Sequence, residues 1–369
     1  MTFCVERQSL YPILQKIISV VSNRPRLPIL KHILLEINNN CLILIVTNLE
    51  VEIIAHVFLE KRYVFRSVTV SGIKLYEIFR NLSACAKIFI KLENNKLLVN
   101  SGCSSFVLST LPASDFPNVE TLKVDCEFNV IISQLMFKKI IELTQFAMGY
   151  RDARHYLNGI FFEIEDKVVR VVATDGHRLA MCEITADTLS SSHSIIIPRQ
   201  GIVEILRLLN YTKNLVKIKI YDNRICVKID NYIVHSKLID SVFPNYKRVL
   251  TNNLKLFFEV DRIILKQALK RVSILSNEKL RVVHFNLMHD QLKITANNFK
   301  QETSEEILEI LYDNENIGIS FNVDYILDII NVIDSKTLKF FLTDPVSSVK
   351  IEGIPKFYEA TYVVMPVRA

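Results

Sequence analysis

The chain has 369 residues, half of them hydrophobic and 23% charged, with a formal net charge of +6 at pH 7. That length suits two or three domains, and the composition excludes long-range disorder and collagen-like chains. No apolar run approaches the roughly 18 to 20 residues of a membrane-spanning helix, and the first residues lack the basic-then-apolar layout of a secretory signal, so a cytoplasmic location is expected. Cys4, Cys41, Cys85, Cys103, Cys126, Cys182 and Cys226 are odd in number and never spaced C-x-x-C, which argues for reduced thiols. The mild positive charge permits a polyanionic partner without demanding one.

In chain order, Phe3-Cys4-Val5 reads as a strand, and Leu10, Ile13, Leu14, Ile17, Ile18 and Val21 then recur at helical spacing. Two strand-like runs joined by a polar turn follow at 33–37 and 42–46. Val68-Thr69-Val70 is a strand leading into a short helix over 75–82, and three alternating runs precede Ser114-Asp115-Phe116-Pro117-Asn118. The plan then begins again. Phe128-Asn129-Val130 opens a helix marked by Leu135, Ile140, Ile141 and Leu143, followed by runs at 159–164 and 168–173, a strand at 195–197, a helix over 202–209 and the matching phrase Ser241-Val242-Phe243-Pro244-Asn245. A third round starts at Phe258-Glu259-Val260, with helical residues Ile264, Ala268, Leu269 and Val272, runs at 282–287 and 292–296, a strand at 319–321 and a helix over 325–333. A repeat of about a third of the chain predicts three tandem α+β domains, at 1–125, 126–253 and 254–369. Three alike domains in an arc leave a sheet edge at either end, and head-to-tail pairing of two identical chains is the simplest closure.

Asp175-Gly176-His177-Arg178 is the most enzyme-like cluster, with a carboxylate, an imidazole and a guanidinium in four residues. No nucleophile or second acid is placed to cooperate with it, and a strand-ending turn accounts for the same residues. The eight glycines are isolated and make no phosphate-cradling loop, no histidine spacing suggests a metal, and no cofactor is expected. Arg262, Lys266 and Lys270 recur every four residues opposite an apolar stripe, and Lys138, Lys139, Arg80 and Arg207 lie on polar helix faces interrupted by Glu77, Glu142 and Glu204. Such a surface is either solvated or a sparse contact for phosphates. Arg24 and the run from Tyr150 to Tyr156 mix cations with aromatics, a combination suited to phosphates and exposed bases.

The phrases Arg24-Pro25-Arg26-Leu27-Pro28-Ile29-Leu30, Leu108-Ser109-Thr110-Leu111-Pro112, Tyr156-Leu157-Asn158-Gly159, Ala173-Thr174-Asp175-Gly176-His177-Arg178-Leu179-Ala180, Ile274-Leu275-Ser276-Asn277-Glu278-Lys279 and Val363-Val364-Met365-Pro366 together resemble the bacterial sliding clamps, the beta subunits of DNA polymerase III. The resemblance runs from Phe3 to Arg368. It implies three clamp-fold domains per chain and a head-to-tail homodimer, a ring with helices inside and sheets outside that encircles double-stranded DNA. It implies a non-catalytic processivity factor that tethers the replicative polymerase alpha subunit at high effective concentration. A clamp loader, other polymerases and repair proteins are the further partners it implies, with no membrane among them. An enzyme using the Asp175/His177 turn, or a homo-oligomeric scaffold that never meets DNA, are the alternatives.

Carried over residue by residue, the resemblance implies DNA contacts at Arg24, Arg80, Tyr150, Arg151, Arg154, Tyr156, Arg199, Arg207 and Lys266. It implies a partner-peptide pocket of Leu157, Thr174, Gly176, His177, Arg178, Leu179, Pro244, Arg248, Val249, Ser348, Val363, Met365, Pro366, Val367 and Arg368, with Arg178, Arg248 and Arg368 fixing the polar end of a peptide. It implies a dimer interface of Lys74, Phe106, Leu108, Ile274, Leu275, Glu302 and Glu305. Cys103 and Ser105 depart from the family, standing where arginines often face the partner's acidic strand, here Glu302, Glu305 and Glu306. Gln200 stands where a second cation often follows Arg199.

Overall fold

The computed structural model describes residues 2–21, 27–63, 67–117, 128–188, 192–250 and 256–367. The chain forms two compact units, one of Met1–Lys138, Asp187–Leu189 and Gln200–Leu238, the other of Lys139–Ala186, Ser190–Arg199 and Ile239–Ala369.

In the first unit, 13 strands make one antiparallel sheet. Helices α1 (Arg7–Ile17) and α2 (Gly72–Asn81) bury Leu10, Leu14 and Ile17, and Leu75 and Phe79. Spacings of three and four residues put these side chains on one helix face. Each fully buried side chain of this kind is worth about 1.5–3 kcal/mol. Helices α3 (Gln134–Thr144) and α4 (Arg199–Leu208) begin the two halves of the second repeat and contribute residues to both units. Hairpin turns fall where Asn or Asp supplies positive φ: Asn39, the pair Asn94 and Asn95, Asp166, Asp230 and Asp290. Short polar side chains tolerate that conformation, and two such residues in a row make the turn that matches strand twist.

The second unit holds an 8-stranded and a 4-stranded sheet. A short helix, α5 (Lys247–Leu250), precedes α6 (Arg262–Val272) and α7 (Val323–Val332). Asp261 caps α6 by accepting from the N–H groups of Ile263 at 2.8 Å and Ile264 at 3.0 Å, and Asn322 caps α7 through the N–H of Asp324 at 2.9 Å.

Each repeat contains a long strand that local periodicity does not reveal: Val51–Phe58, Arg178–Thr185 and Thr303–Glu309. The first two join one repeat to another. Val51–Phe58 pairs with Tyr232–Lys237, the last strand of the second repeat, from Ala55 opposite Tyr232 to Val51 opposite Ser236. Arg178–Thr185 pairs with Glu359–Val364, the last strand of the third, from Arg178 opposite Val364 to Glu183 opposite Glu359. The compact units follow these seams, so they cut across the threefold sequence repeat. Thr303–Glu309 has a described neighbour on one side only, Gln291–Asn297. Ser104–Pro112, the last strand of the first repeat, is likewise half open: Ser104–Ser109 pairs with Lys96–Ser101, and among the described residues only Thr110, Leu111 and Pro112 have partners on the other side.

Candidate functional site

The site grows from the turn that ends strand Val168–Thr174. Asp175 Oδ1 accepts from the backbone N–H groups of His177 at 2.9 Å and Arg178 at 3.0 Å. Thr174 Oγ1 accepts from the N–H of Gly176 at 3.1 Å and donates to the Arg178 carbonyl at 2.6 Å. Gly176 takes φ +91°, a conformation that L side chains avoid. The Asp175 carboxylate is therefore occupied in holding an Asx turn. Arg178 is equally committed. Its Nε donates to Asp175 at 3.0 Å, Nη1 to Asp328 at 2.5 Å and Nη2 to the Phe146 carbonyl at 2.8 Å, while the guanidinium lies over the rings of Phe146 and Tyr325. Each nitrogen of Arg178, expected to fix a peptide's polar end, thus has a partner within the chain, which holds the guanidinium at the groove. His177 stays exposed, its ring beside that of Tyr325.

Beside this turn lies a groove of about 330 Å³. Ten expected pocket residues line it: Leu157, Thr174, Gly176, His177, Arg178, Leu179, Pro244, Val249, Val363 and Met365. Leu179 and Val363 are direct cross-strand partners, which makes the seam between two strands the floor of the groove. The Met365 N–H donates to the His177 carbonyl at 2.8 Å and the Val367 N–H to the Ser320 carbonyl at 2.8 Å, so the apolar chain end is laid down against the turn. Arg248, Ser348, Pro366 and Val367 do not line the groove, and Arg368 lies outside the described residues. Arg154 and Tyr156, expected at DNA, line it as well. Arg154 grips Asp152 through Nε at 3.1 Å and Nη2 at 2.9 Å, and that hydrogen-bonded guanidinium holds the Asp152 carboxyl down at about 2. Phe243, Asn245 and Tyr246 also line the groove and were missed. The matching Phe-Pro-Asn phrases flagged this segment as a repeat boundary but gave no hint of a wall.

The other expected residues fall into distinct surroundings. Tyr150 is 69% exposed, with the guanidinium of Arg151 at 5.1 Å and that of Arg199 at 5.6 Å from its ring, one aromatic between two cations. Arg80 pairs with Glu77 at 3.0 Å, and Arg207 pairs with the buried Glu204 at 2.9 Å, which also accepts from Ser19. The expected stripe on α6 is shorter than it looked. Arg262 donates Nε to the Ser335 carbonyl at 2.9 Å, leaving Lys266 and the exposed Lys270. Lys138 and Lys139 are similarly drawn to the Leu209 carbonyl and to Asp334. Arg24 lies outside the described residues.

Of the interface candidates, Lys74, Ile274, Glu302 and Glu305 are exposed, Phe106 and Leu275 half-buried, and Leu108 packed into its own unit. Glu305 meets Lys293 at 2.8 Å, and Arg271 forks onto Glu306 at 2.6 and 3.0 Å.

Three rounds of one strand–helix–strand plan, stitched through shared sheets, define a clamp-type fold with a binding groove. Three family descriptions tile the chain: "DNA polymerase III beta subunit, N-terminal domain" at residues 1–120, "central domain" at 131–245 and "C-terminal domain" at 247–368. The chain belongs to the DNA polymerase III beta subunit family, the beta sliding clamps. It is 44% identical over 368 residues to the beta sliding clamps of Salmonella typhimurium and of Escherichia coli K12, all of each chain being covered. Among solved structures it is similar to the Pseudomonas aeruginosa sliding clamp (TM-score 0.96, 40% identity) and to the Bartonella birtlesii clamp bound to griselimycin (TM-score 0.94, 32% identity), again over the full chains. Its function is that of a DNA sliding clamp, and it is not an enzyme.

Proposed function

We propose that two copies of this chain close head to tail into a ring around duplex DNA, and that the groove captures short peptides of the replicative polymerase, the clamp loader and repair proteins. The single observation behind closure is the pattern of strand joints. The last strand of the second repeat pairs with Val51–Phe58 of the first, and the last strand of the third pairs with Arg178–Thr185 of the second. One equivalent joint remains to be made, between Ser104–Ser109, ending the first repeat, and Thr303–Glu309 in the third. Two open edges of matching kind at opposite ends of a repeat are satisfied by a second copy, which removes the exposed ladder groups from solvent. Exposed Val107 and Ile307 on the two edges, with Ile274 beside the latter, give the joint an apolar content. On this reading the domains are 1–125, 126–253 and 254–369, in line with the three family ranges, and the chain works in the bacterial cytoplasm, where DNA is. No described helix is long and apolar enough to cross a membrane.

The groove suits a peptide with bulky apolar residues and a glutamine. Its floor is aliphatic, its walls are aromatic, and Met365, 44% exposed, is an adaptable rim for more than one sequence. The relatives solved with griselimycin make that compound a useful competitor. Loading onto nicked circular DNA tests the ring: retention on the circle and loss on linearisation are expected, and equal retention on both would overturn it. Deleting residues 365–369 tests the groove, since the dimer should persist while a labelled peptide loses binding by fluorescence polarisation; undiminished affinity would move the partner site elsewhere.

A further inference from the structure

The groove's aromatic wall comes from a segment that is not itself part of any sheet, Phe243 to Val249 apart from the single turn of α5. What holds it is visible on the neighbouring strands. Glu163, Arg170 and Glu183 stand directly opposite one another across three adjacent strands. Arg170 Nε donates to Glu183 at 2.8 Å, and its Nη1 donates to Glu163 at 3.1 Å and Glu165 at 2.7 Å. One guanidinium thus serves three carboxylates. The Tyr246 hydroxyl donates to Glu163 Oε2 at 2.6 Å, and Lys247 Nζ sits 3.6 Å from Glu163 and 3.8 Å from Glu165. One row along, Phe161 stacks on Phe243 with centroids 4.6 Å apart and meets Tyr246 edge-on. Tyr246 is only 5% exposed, and its hydroxyl, placed beside Arg170 as well, donates to this carboxylate instead of to bulk water. The Val249 N–H in turn donates to the Tyr246 backbone carbonyl at 3.0 Å, tying the groove's rim to the main chain of the same residue.

We propose that Glu163, oriented by Arg170, is a positioning residue for ligand capture: it latches Tyr246 and so fixes the wall and rim of a groove it does not itself line. This rests on the reading of the groove as a peptide site. The carboxylate is aimed by a cross-strand neighbour in fixed register, and its short hydrogen bond to a phenol is of the charge-assisted kind. Burial, followed by the hydrogen bond to Glu163, pushes the Tyr246 phenol up in pKa, which keeps it a donor throughout the usual pH range. A wall held in place before the peptide arrives avoids the ordering cost of binding, so its loss should appear in how long the peptide stays.

The test uses the full chain as dimer and a fluorescein-labelled peptide carrying one glutamine with leucine and phenylalanine. Glu163→Ala and Tyr246→Phe should each weaken binding about tenfold, chiefly through faster dissociation, with the dimer unchanged by sedimentation. Glu163→Gln keeps an acceptor for the phenol and should recover most of that loss. Wild-type affinity in both Glu163→Ala and Tyr246→Phe overturns the latch. Equal loss in Glu163→Ala and Glu163→Gln overturns it too, since charge in the cluster and not the acceptor would then be what matters. Should Glu163→Ala fail to fold, Tyr246→Phe, which removes a single oxygen, decides alone. A wild-type chain that binds no peptide is a different failure, that of the groove reading.

Discussion

Gly176 shows how little freedom a binding turn has. Its φ of +91° is one that L side chains rarely adopt, and a Cβ there would come within 3.2 Å of the Arg154 guanidinium. Gly176→Ala should cost about 1–2 kcal/mol of stability from backbone strain alone and, by moving Arg154, weaken peptide capture; a variant with wild-type denaturation and affinity would show that the turn is looser than its hydrogen bonds suggest. Two histidines make a second residue-scale prediction. Burial lowers the pKa of His32, with Lys74 adding to the effect, and burial followed by the charge of Arg224 lowers that of His235. Both bind fewer protons folded than unfolded below the ordinary value of about 6.5, so their contribution is present at pH 7 and is lost as pH falls below that value. The urea midpoint should therefore drop between pH 7 and 5, and the double variant His32→Gln/His235→Gln should flatten that dependence. An unchanged slope would mean that neither ring is kept neutral by the fold.

At the scale of elements, the sequence was legible wherever a local period existed. The helix expected at Leu10 to Val21 is Arg7–Ile17, continued by a 3-10 turn at Ile18–Val20, and the runs at 159–164 and 168–173 are the strands Gly159–Glu165 and Val168–Thr174. Thr303–Glu309 and Val51–Phe58 are not legible as strands, because the first carries three glutamates and the second is buried on both faces along much of its length, so neither alternates cleanly. Commitments of long side chains were equally hidden: nothing in helical spacing says that Arg262 will turn to the Ser335 carbonyl while Lys266 does not, since that depends on a loop far along the chain. The 3-10 turn Ser273–Leu275 after α6 supplies the prediction for this scale. Ile274 is 77% exposed and Leu275 half-buried in the single chain, so Leu275→Asp should leave each chain folded. A charge trapped without a partner at a dimer joint costs roughly several kcal/mol, enough to separate the copies. Sedimentation should find a folded monomer; a persisting dimer would place the joint elsewhere.

For the whole molecule, the sparse charge on its cationic surfaces predicts a loose hold on DNA. If Arg151 and Arg199, flanking Tyr150, each meet a phosphate, replacing both with Ala should flatten the log-log salt dependence of DNA retention by about 0.9 per lost contact, with dimerisation untouched; an unaltered slope would make them solvated loop charges. The seams between repeats carry a different consequence, one of timing. Val51–Phe58 cannot find Tyr232–Lys237 until the rest of the first repeat and nearly all of the second have been made, and Arg178–Thr185 waits for Glu359–Val364 in the third. At ~5–20 residues per second, the first of these strands, already paired with Cys41–Thr47 on one side, keeps its other edge open for about ten to thirty-five seconds of synthesis. During that window the open edge can meet the same edge of another nascent chain, so the yield of correctly paired protein is expected to fall as nascent chains crowd together.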